Sequence, residues 1–195
     1  MTPLESVLRR IVADLAGAGV HCAVVGGLAV SIRTEPRFTR DADLAVAVRG
    51  DAEAEALIRR LRGDGYEVTA LIAQNAAGHL ATARLRPSAD PGAPIVDLLF
   101  ASSGIESEIV RDAESVEVLP GLSIRVARTG HLIALKLLSR DDVNRPQDVI
   151  DLRALLKGAS PEELARAGDA AGAIIARGYH RGRNLSADLD DLRAQ

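Results

Sequence analysis

Apolar positions along the chain follow two rhythms, short runs broken by turns in the first two thirds and helical spacing thereafter. Leu4, Val7, Leu8, Ile11, Val12 and Leu15 share one helical face, and Ala16-Gly17-Ala18-Gly19 closes that helix with Gly19 as a left-handed cap. His21 to Val25 is a first strand, followed by a Gly26-Gly27 turn and a short helix from about Leu28 to Arg33. Pro36 blocks continuation of that helix, so Thr34 to Arg40 is a loop. A second strand spans Asp41 to Val48. Asp51 is placed to cap a helix carrying Ala54, Leu57, Ile58 and Leu61 inward, which Gly63-Asp64-Gly65 stops. Tyr66 to Ile72 and His79 to Leu85 alternate as a hairpin around a turn at Gln74 to Gly78. Pro87 to Pro94 is a loop, and Ile95 to Phe100 is the most apolar strand of the chain. Ile105 to Ala113 makes a weak helix, and Val116 to Val126 a hairpin turning at Pro120-Gly121.

From residue 128 the pattern is helical only. Thr129 is placed to cap a helix bearing Leu132, Ile133, Leu135, Lys136 and Leu138. Asn144 to Leu156 forms another, with Val149, Ile150, Leu152, Leu155 and Leu156 apolar. Ser160-Pro161-Glu162-Glu163 is a capping box with proline at the first helical position. The helix it opens turns Leu164, Ala167, Ala171, Ile174 and Ile175 inward and ends at Gly178. The tail adds a basic turn and a short acidic helix. The expected class is α/β (α+β): a mixed-sheet lobe over residues 1–127 and a helical lobe over 128–195, without a linker long enough to separate them.

Composition narrows this picture. Hydrophobic residues make up 47% of the 195 and aromatics 2%, so the core must be built from Leu, Val, Ile and Ala. A formal net charge of -3 gives the chain as a whole no attraction for nucleic acid, and any polyanion must be held by a local patch. A single cysteine, Cys22, excludes an internal disulfide framework and suits a reducing compartment. No run reaches the roughly 18 apolar residues of a membrane span. The opening MTPLESVLRR lacks the layout of a signal peptide. A cytoplasmic protein with no membrane partner is the expectation.

Chemistry concentrates between Val24 and Val48. Gly26-Gly27 falls where a strand yields to a helix, a place where bare backbone N–H groups can approach a phosphate. Side chains in a strand alternate, so Asp41 and Asp43 share a face and repel each other unless a cation sits between them. Mg²⁺ is the natural ion, since it takes one or two carboxylates together with substrate phosphates. The bland alternative is a tight turn and a solvated strand end. Arg33, Arg37 and Arg40 crowd the same loop, where they either balance the acids or meet a triphosphate. Asp97 stands alone inside IVDLLF, and a buried lone carboxylate is costly without a cation or hydrogen bonds; otherwise it is an edge-strand residue facing water. Lys136, in the apolar run HLIALKLLS, needs a partner if it is buried. A second basic cluster, Arg177, His180, Arg181 and Arg183, has no stacking aromatic beyond Tyr179.

The ordered set Gly26-Gly27, then Arg37-x-Thr39-x-Asp41-x-Asp43, resembles the nucleotidyltransferase domain of the DNA polymerase β type. Within it the chain is most similar to the AbiEii-type toxins of type IV toxin–antitoxin systems. The commoner signature has serine where Gly27 stands. The resemblance implies that Asp41, Asp43 and a third acid, Asp97, hold Mg²⁺, with Asp97 helping to activate the attacking oxygen. It implies that Gly26 and Gly27 cradle phosphates, that Arg37 and Thr39 contact substrate, and that Lys136 and Asp148 complete the site from the second lobe. Gln147 stands where that family usually has lysine. The reaction implied is transfer of a nucleoside monophosphate from an NTP to an acceptor, with tRNA as acceptor and an antitoxin protein as partner. A small-molecule (antibiotic-type) transferase and a non-catalytic nucleotide- or partner-binding domain are the alternatives.

Overall fold

The computed structural model describes residues 2–74, 78–119, 121–141 and 145–193. Helix α1 (Pro3–Gly17) leads into strand β1 (Cys22–Val25), helix α2 (Gly26–Arg33) and strand β2 (Ala42–Val46). Helix α3 (Asp51–Gly63) precedes the hairpin β3 (Tyr66–Ala73) and β4 (Leu80–Pro87), then β5 (Val96–Leu99), α4 (Glu106–Asp112), β6 (Glu114–Leu119) and β7 (Leu122–Val126). Four helices finish the described chain: α5 (Thr129–Ser139), α6 (Pro146–Gly158), α7 (Pro161–Ala176) and α8 (Leu185–Arg193).

The strands form one mixed sheet in the order β3-β4-β5-β2-β1-β7-β6. β2 lies antiparallel to β1 and parallel to β5, and their register sets Asp43 directly beside Asp97. β5 is therefore an interior strand, and the edge-strand reading of Asp97 is excluded. The inner strands are apolar because both of their faces are covered. Leu44, Ala45, Val46, Val96 and Leu98 are buried, and one continuous core joins them to Leu15 on α1, Ile109 on α4 and Ile133 and Leu137 on α5. α5 packs on α2, α6, α7 and α8, which puts a helix directly behind the β1–α2 junction. Among the described residues no helix is long and apolar enough to cross a membrane.

Several local expectations are corrected. Asp51 is the first residue of α3 and makes no cap; its carboxylate accepts from the Leu80 N–H at 3.1 Å and lies 3.3 Å from His79 Nδ1, tying α3 to the hairpin. Thr129 likewise gives α5 no side-chain cap. Ser160 does accept from the Glu163 N–H at 3.2 Å, but the Glu163 carboxylate does not close the box and instead accepts from the Gly130 N–H at 2.6 Å. Glu163 so supplies the missing cap of α5 from α7. Ile150 is 57% exposed, because α6 turns Asp148 and Asp151 inward with Leu152 and Leu155. The proposed helix start at Asn144, the turn residues Asn75 to Ala77 and the turn residue Pro120 lie outside the described residues.

Candidate active site

The site begins at the junction of β1 and α2. Gly26 has φ +62, and a Cβ there would lie 1.9 Å from Asp43 Oδ2 and 2.8 Å from Asp43 Cβ. Only glycine lets the β2 carboxylate press against the first turn of α2. The Gly27 backbone N–H faces the same carboxylate. A Cβ on Gly27 would lie 2.8 Å from Arg37 Nη2, so the glycine that replaces serine leaves room for a guanidinium. Burial, then the charges of Asp97 and Asp41, push the Asp43 carboxyl up to about 6, against the opposing pull of Lys136 and the Gly27 N–H.

The three acids do not share one setting. Asp41 is exposed and precedes β2, so the strand alternation begins only at Ala42. Asp43 is half-buried in β2. Asp97 is 8% exposed on β5, and Arg84 of β4 grips both its oxygens, Nε to Oδ1 at 2.8 Å and Nη2 to Oδ2 at 2.7 Å. That fork is the cation Asp97 required. Among the described residues no three His, Cys, Asp or Glu side chains converge as a ready metal cage. The donor chemistry still fits a hard dication. Asp41 adds to the cost of ionising Asp43, and Mg²⁺ needs only one or two carboxylates beside substrate oxygens. The Arg84 fork takes one lone pair from each Asp97 oxygen and leaves the others free.

Behind the acids lies a buried ionic cluster. Lys136 Nζ is 2.7 Å from Asp148 Oδ1 and 2.8 Å from Asp151 Oδ2. Arg37 Nη2 donates to Asp151 Oδ2 at 2.8 Å, and Gln147 Nε2 to Asp151 Oδ1 at 2.9 Å. Arg145 Nε lies 3.1 Å from Asp148 Oδ2. Burial opposes ionisation of Asp151, but the hydrogen bonds from Lys136, Gln147 and Arg37 outweigh it and hold its carboxyl below the usual range. Lys136 and Asp148 thus pair between adjacent helices, and Lys136 also lines the same cavity as Asp43.

That cavity, of about 210 Å³, brings together Gly26, Gly27, Asp43 and Lys136 with Ser139, Arg145 and Arg181. A second groove, of about 640 Å³, takes Arg37, Thr39 and Asp41 with Phe38 and Arg40. Thr39 Oγ1 donates to the Asp41 carbonyl oxygen at 3.4 Å, a contact that shapes the loop. Asp97 and Asp148 line neither space.

Two neighbours of the site, Asp151 and Arg84, escaped sequence reasoning, and Arg181 stood out only as part of a basic cluster. Asp151 could have been found from its spacing to Asp148, since positions three apart share a helical face. Arg84 depends on the β4–β5 register, which pairs it with Asp97. Arg181 reaches the cavity from the tail, its Nη2 donating to the Ser102 carbonyl at 3.2 Å. Among the described residues it alone of the non-glycines has positive φ, 54°. Backbone strain of this kind persists where surrounding structure over-determines it, often at functional sites.

Residues 7–195 match the sequence profile of a family described as Nucleotidyl transferase AbiEii toxin, Type IV TA system. No curated protein is significantly similar to the chain in sequence. In structure the chain is similar to an antigenic nucleotidyltransferase-like protein from Paracoccidioides brasiliensis, with TM-score 0.54, 18% identity and 95% of this chain and 91% of that chain covered. It is also similar to the antibiotic-resistance factor ANT(2'')-Ia, with TM-score 0.56, 17% identity and coverage of 97% and 96%. The lincosamide antibiotic adenylyltransferase LnuA gives TM-score 0.50 and 13% identity, over 80% of this chain and 98% of that chain. At these identities the likeness is one of fold.

Proposed function

The chain belongs to the AbiEii nucleotidyltransferase family, and from that premise we propose that it moves a nucleoside monophosphate from an NTP to RNA, tRNA in particular, with Mg²⁺ as cofactor and pyrophosphate as leaving group. The observation that carries this reading is Asp43, seated against Gly26, in register with Asp97 and lining one cavity with Lys136. Asp41 and Asp43 would hold the metal, with Asp97 as the third acid. The ion would supply neutralisation of the triphosphate charge.

The chain's own groups do the rest. Gly26 and Gly27 let the phosphates approach α2's first turn, and Arg37 and Arg181 offer guanidinium forks to phosphate oxygens. Arg37 Nε is buried without a hydrogen-bond partner, a donor left for such an oxygen. Lys136 has three N–H donors, and two are spent on Asp148 and Asp151. The third is available to the cavity, where it would stabilise charge developing on the transferring phosphate. Asp148 and Asp151 hold Lys136 in place. The site then lies between a first lobe over residues 1–127 and a second over 128–195. The family supports a toxin role opposed by an antitoxin, and the single cysteine suits action in a reducing cytoplasm.

The test is transfer from α-labelled and from γ-labelled NTPs, each with Mg²⁺, to bulk RNA and to an aminoglycoside. The expected result is α-label on RNA, none from the γ position, and label from one NTP above the others. Label on the aminoglycoside alone would favour the antibiotic-type reading, and no transfer of α-label to anything would overturn the proposal.

A further inference from the structure

We propose that the groove in front of Asp41 is the acceptor subsite, and that Phe38 with Arg40 forms a platform on which an unpaired nucleobase of the acceptor stacks. The inference rests on the transferase reading for the position of the reacting centre.

The chain is poor in aromatics, with two Phe, two Tyr and no Trp. Phe100 and Tyr66 are buried, and Tyr179 packs against the core. Phe38 alone is spread to solvent, 81% exposed, and it stands three residues before Asp41. The Arg40 guanidinium carbon lies 5.9 Å from its ring centroid, within cation–π reach. An exposed ring with an arginine over it is a stacking surface awaiting a planar partner. The loop that carries it is held, because Arg37 is anchored on Asp151 and its carbonyl accepts from Ser31 Oγ at 3.3 Å. The platform is therefore preorganised.

Charge selects the occupant. The groove is lined by the cations Arg37 and Arg40 and by one acid, Asp41, which the reacting centre claims. A polycationic acceptor finds no carboxylate there to spare, whereas a nucleotide brings a flat ring for Phe38 and a phosphate for the arginines. At about 640 Å³ the groove falls within the roughly 300–1,000 Å³ usual for ligand sites.

Placement agrees. Asp43 lines the cavity that also holds Gly26, Gly27 and Lys136, while Asp41 lines the groove that holds Phe38. Gly27 lines the one and the next residue, Leu28, the other, and Asp43 and Asp41 stand two residues apart in the chain. A donor nucleotide in one and an acceptor in the other would meet at the acids from opposite sides, as in-line phosphoryl transfer requires.

The experiment is fluorescence anisotropy of a labelled short single-stranded RNA with the full chain, without NTP, for wild type, Phe38→Ala, Phe38→Tyr and Arg40→Gln. Phe38→Ala is expected to weaken RNA binding about fivefold to a hundredfold, the range for losing one base–aromatic stack. Phe38→Tyr should bind like wild type, and Arg40→Gln should bind more weakly with a shallower dependence on salt. A blunt RNA duplex should bind less tightly than the single strand. The proposal is overturned if wild type does not bind the single strand, if Phe38→Ala binds it unchanged, or if the duplex binds as well. No chemistry occurs in this assay, so failure of the transferase reading would show in label transfer and not here.

Discussion

Gly26 and Asp43 are fitted to each other, a left-handed backbone at one residue making the space that the carboxylate of the other fills, with a Cβ-to-Oδ2 separation of 1.9 Å for any larger residue. Gly26→Ala should cost at least about 1–2 kcal/mol in backbone strain, and it must also push Asp43 off its seat. Gly27→Ala meets only the far end of Arg37 and should be milder. Thermal melts with calorimetry of NTP and Mg²⁺ are expected to show Gly26→Ala less stable and without measurable NTP binding, and Gly27→Ala near wild type in stability. Equal behaviour of the two would contradict the fit.

Asp43 predicts a pH dependence with a definite sign. Its carboxyl titrates near 6 in the folded chain against an ordinary 3.8, so ionising it opposes folding. That penalty is absent below about pH 4, grows through about pH 6 and is constant above, where it amounts to about 3 kcal/mol. Asp43→Asn should therefore melt above wild type at pH 7, and the gap should close as pH falls toward 4. Metal-assisted NTP binding by wild type should weaken below about pH 6, as protons compete for the same oxygens. A gap independent of pH would remove the electrostatic account of Asp43.

Lys136 sits between two buried carboxylates, so its removal leaves them uncompensated. Lys136→Met should destabilise by about 3–5 kcal/mol, and Lys136→Met with Asp148→Asn by less than the sum of the single changes. Urea denaturation of the set checks this. In Lys136→Arg, which keeps the charge, single-turnover transfer should fall well below wild type while NTP affinity changes little, because a planar guanidinium does not reproduce a compact ammonium. Full transfer by Lys136→Arg would make the cluster structural only.

Arg181 lines the cavity from the tail and contacts one carbonyl, Ser102 O, so its loss should spare the fold. Arg181→Ala is expected to raise the KM for NTP about tenfold to a hundredfold, the scale of one hydrogen bond to a charged group, with the melting temperature nearly unchanged. An unaltered KM would take Arg181 out of the site.

The strands, the β3–β4 hairpin and the Gly26 junction were legible in the sequence because each depends on local periodicity or turn chemistry, whereas the place of Asp97 beside Asp43 depends on the β2–β5 register and was implied only by the family resemblance. The misses have a common cause in tertiary placement. Asp41 looked like a strand residue because alternation does not mark where pairing stops. The inward face of α6 was drawn through Ile150, but Lys136 draws Asp148 and Asp151 inward and rotates that face. Arg84 needed the β4–β5 register, and Arg181 needed the tail to fold back past Ser102. The half-formed box at Ser160 shows the same thing: Glu163 had a better use on another helix, at Gly130.

The account stands most directly on the transfer rate of Asp43→Asn, measured in single turnover with α-labelled NTP, Mg²⁺ and RNA beside a thermal melt of the same sample. Asp43→Asn removes one oxygen's charge at the seat against Gly26 and leaves the shape. The account predicts transfer at least about a hundredfold slower, the loss expected for one electrostatic group at a reacting phosphate, in a protein that melts no lower than wild type at pH 7. Transfer at the wild-type rate by a folded Asp43→Asn would contradict it.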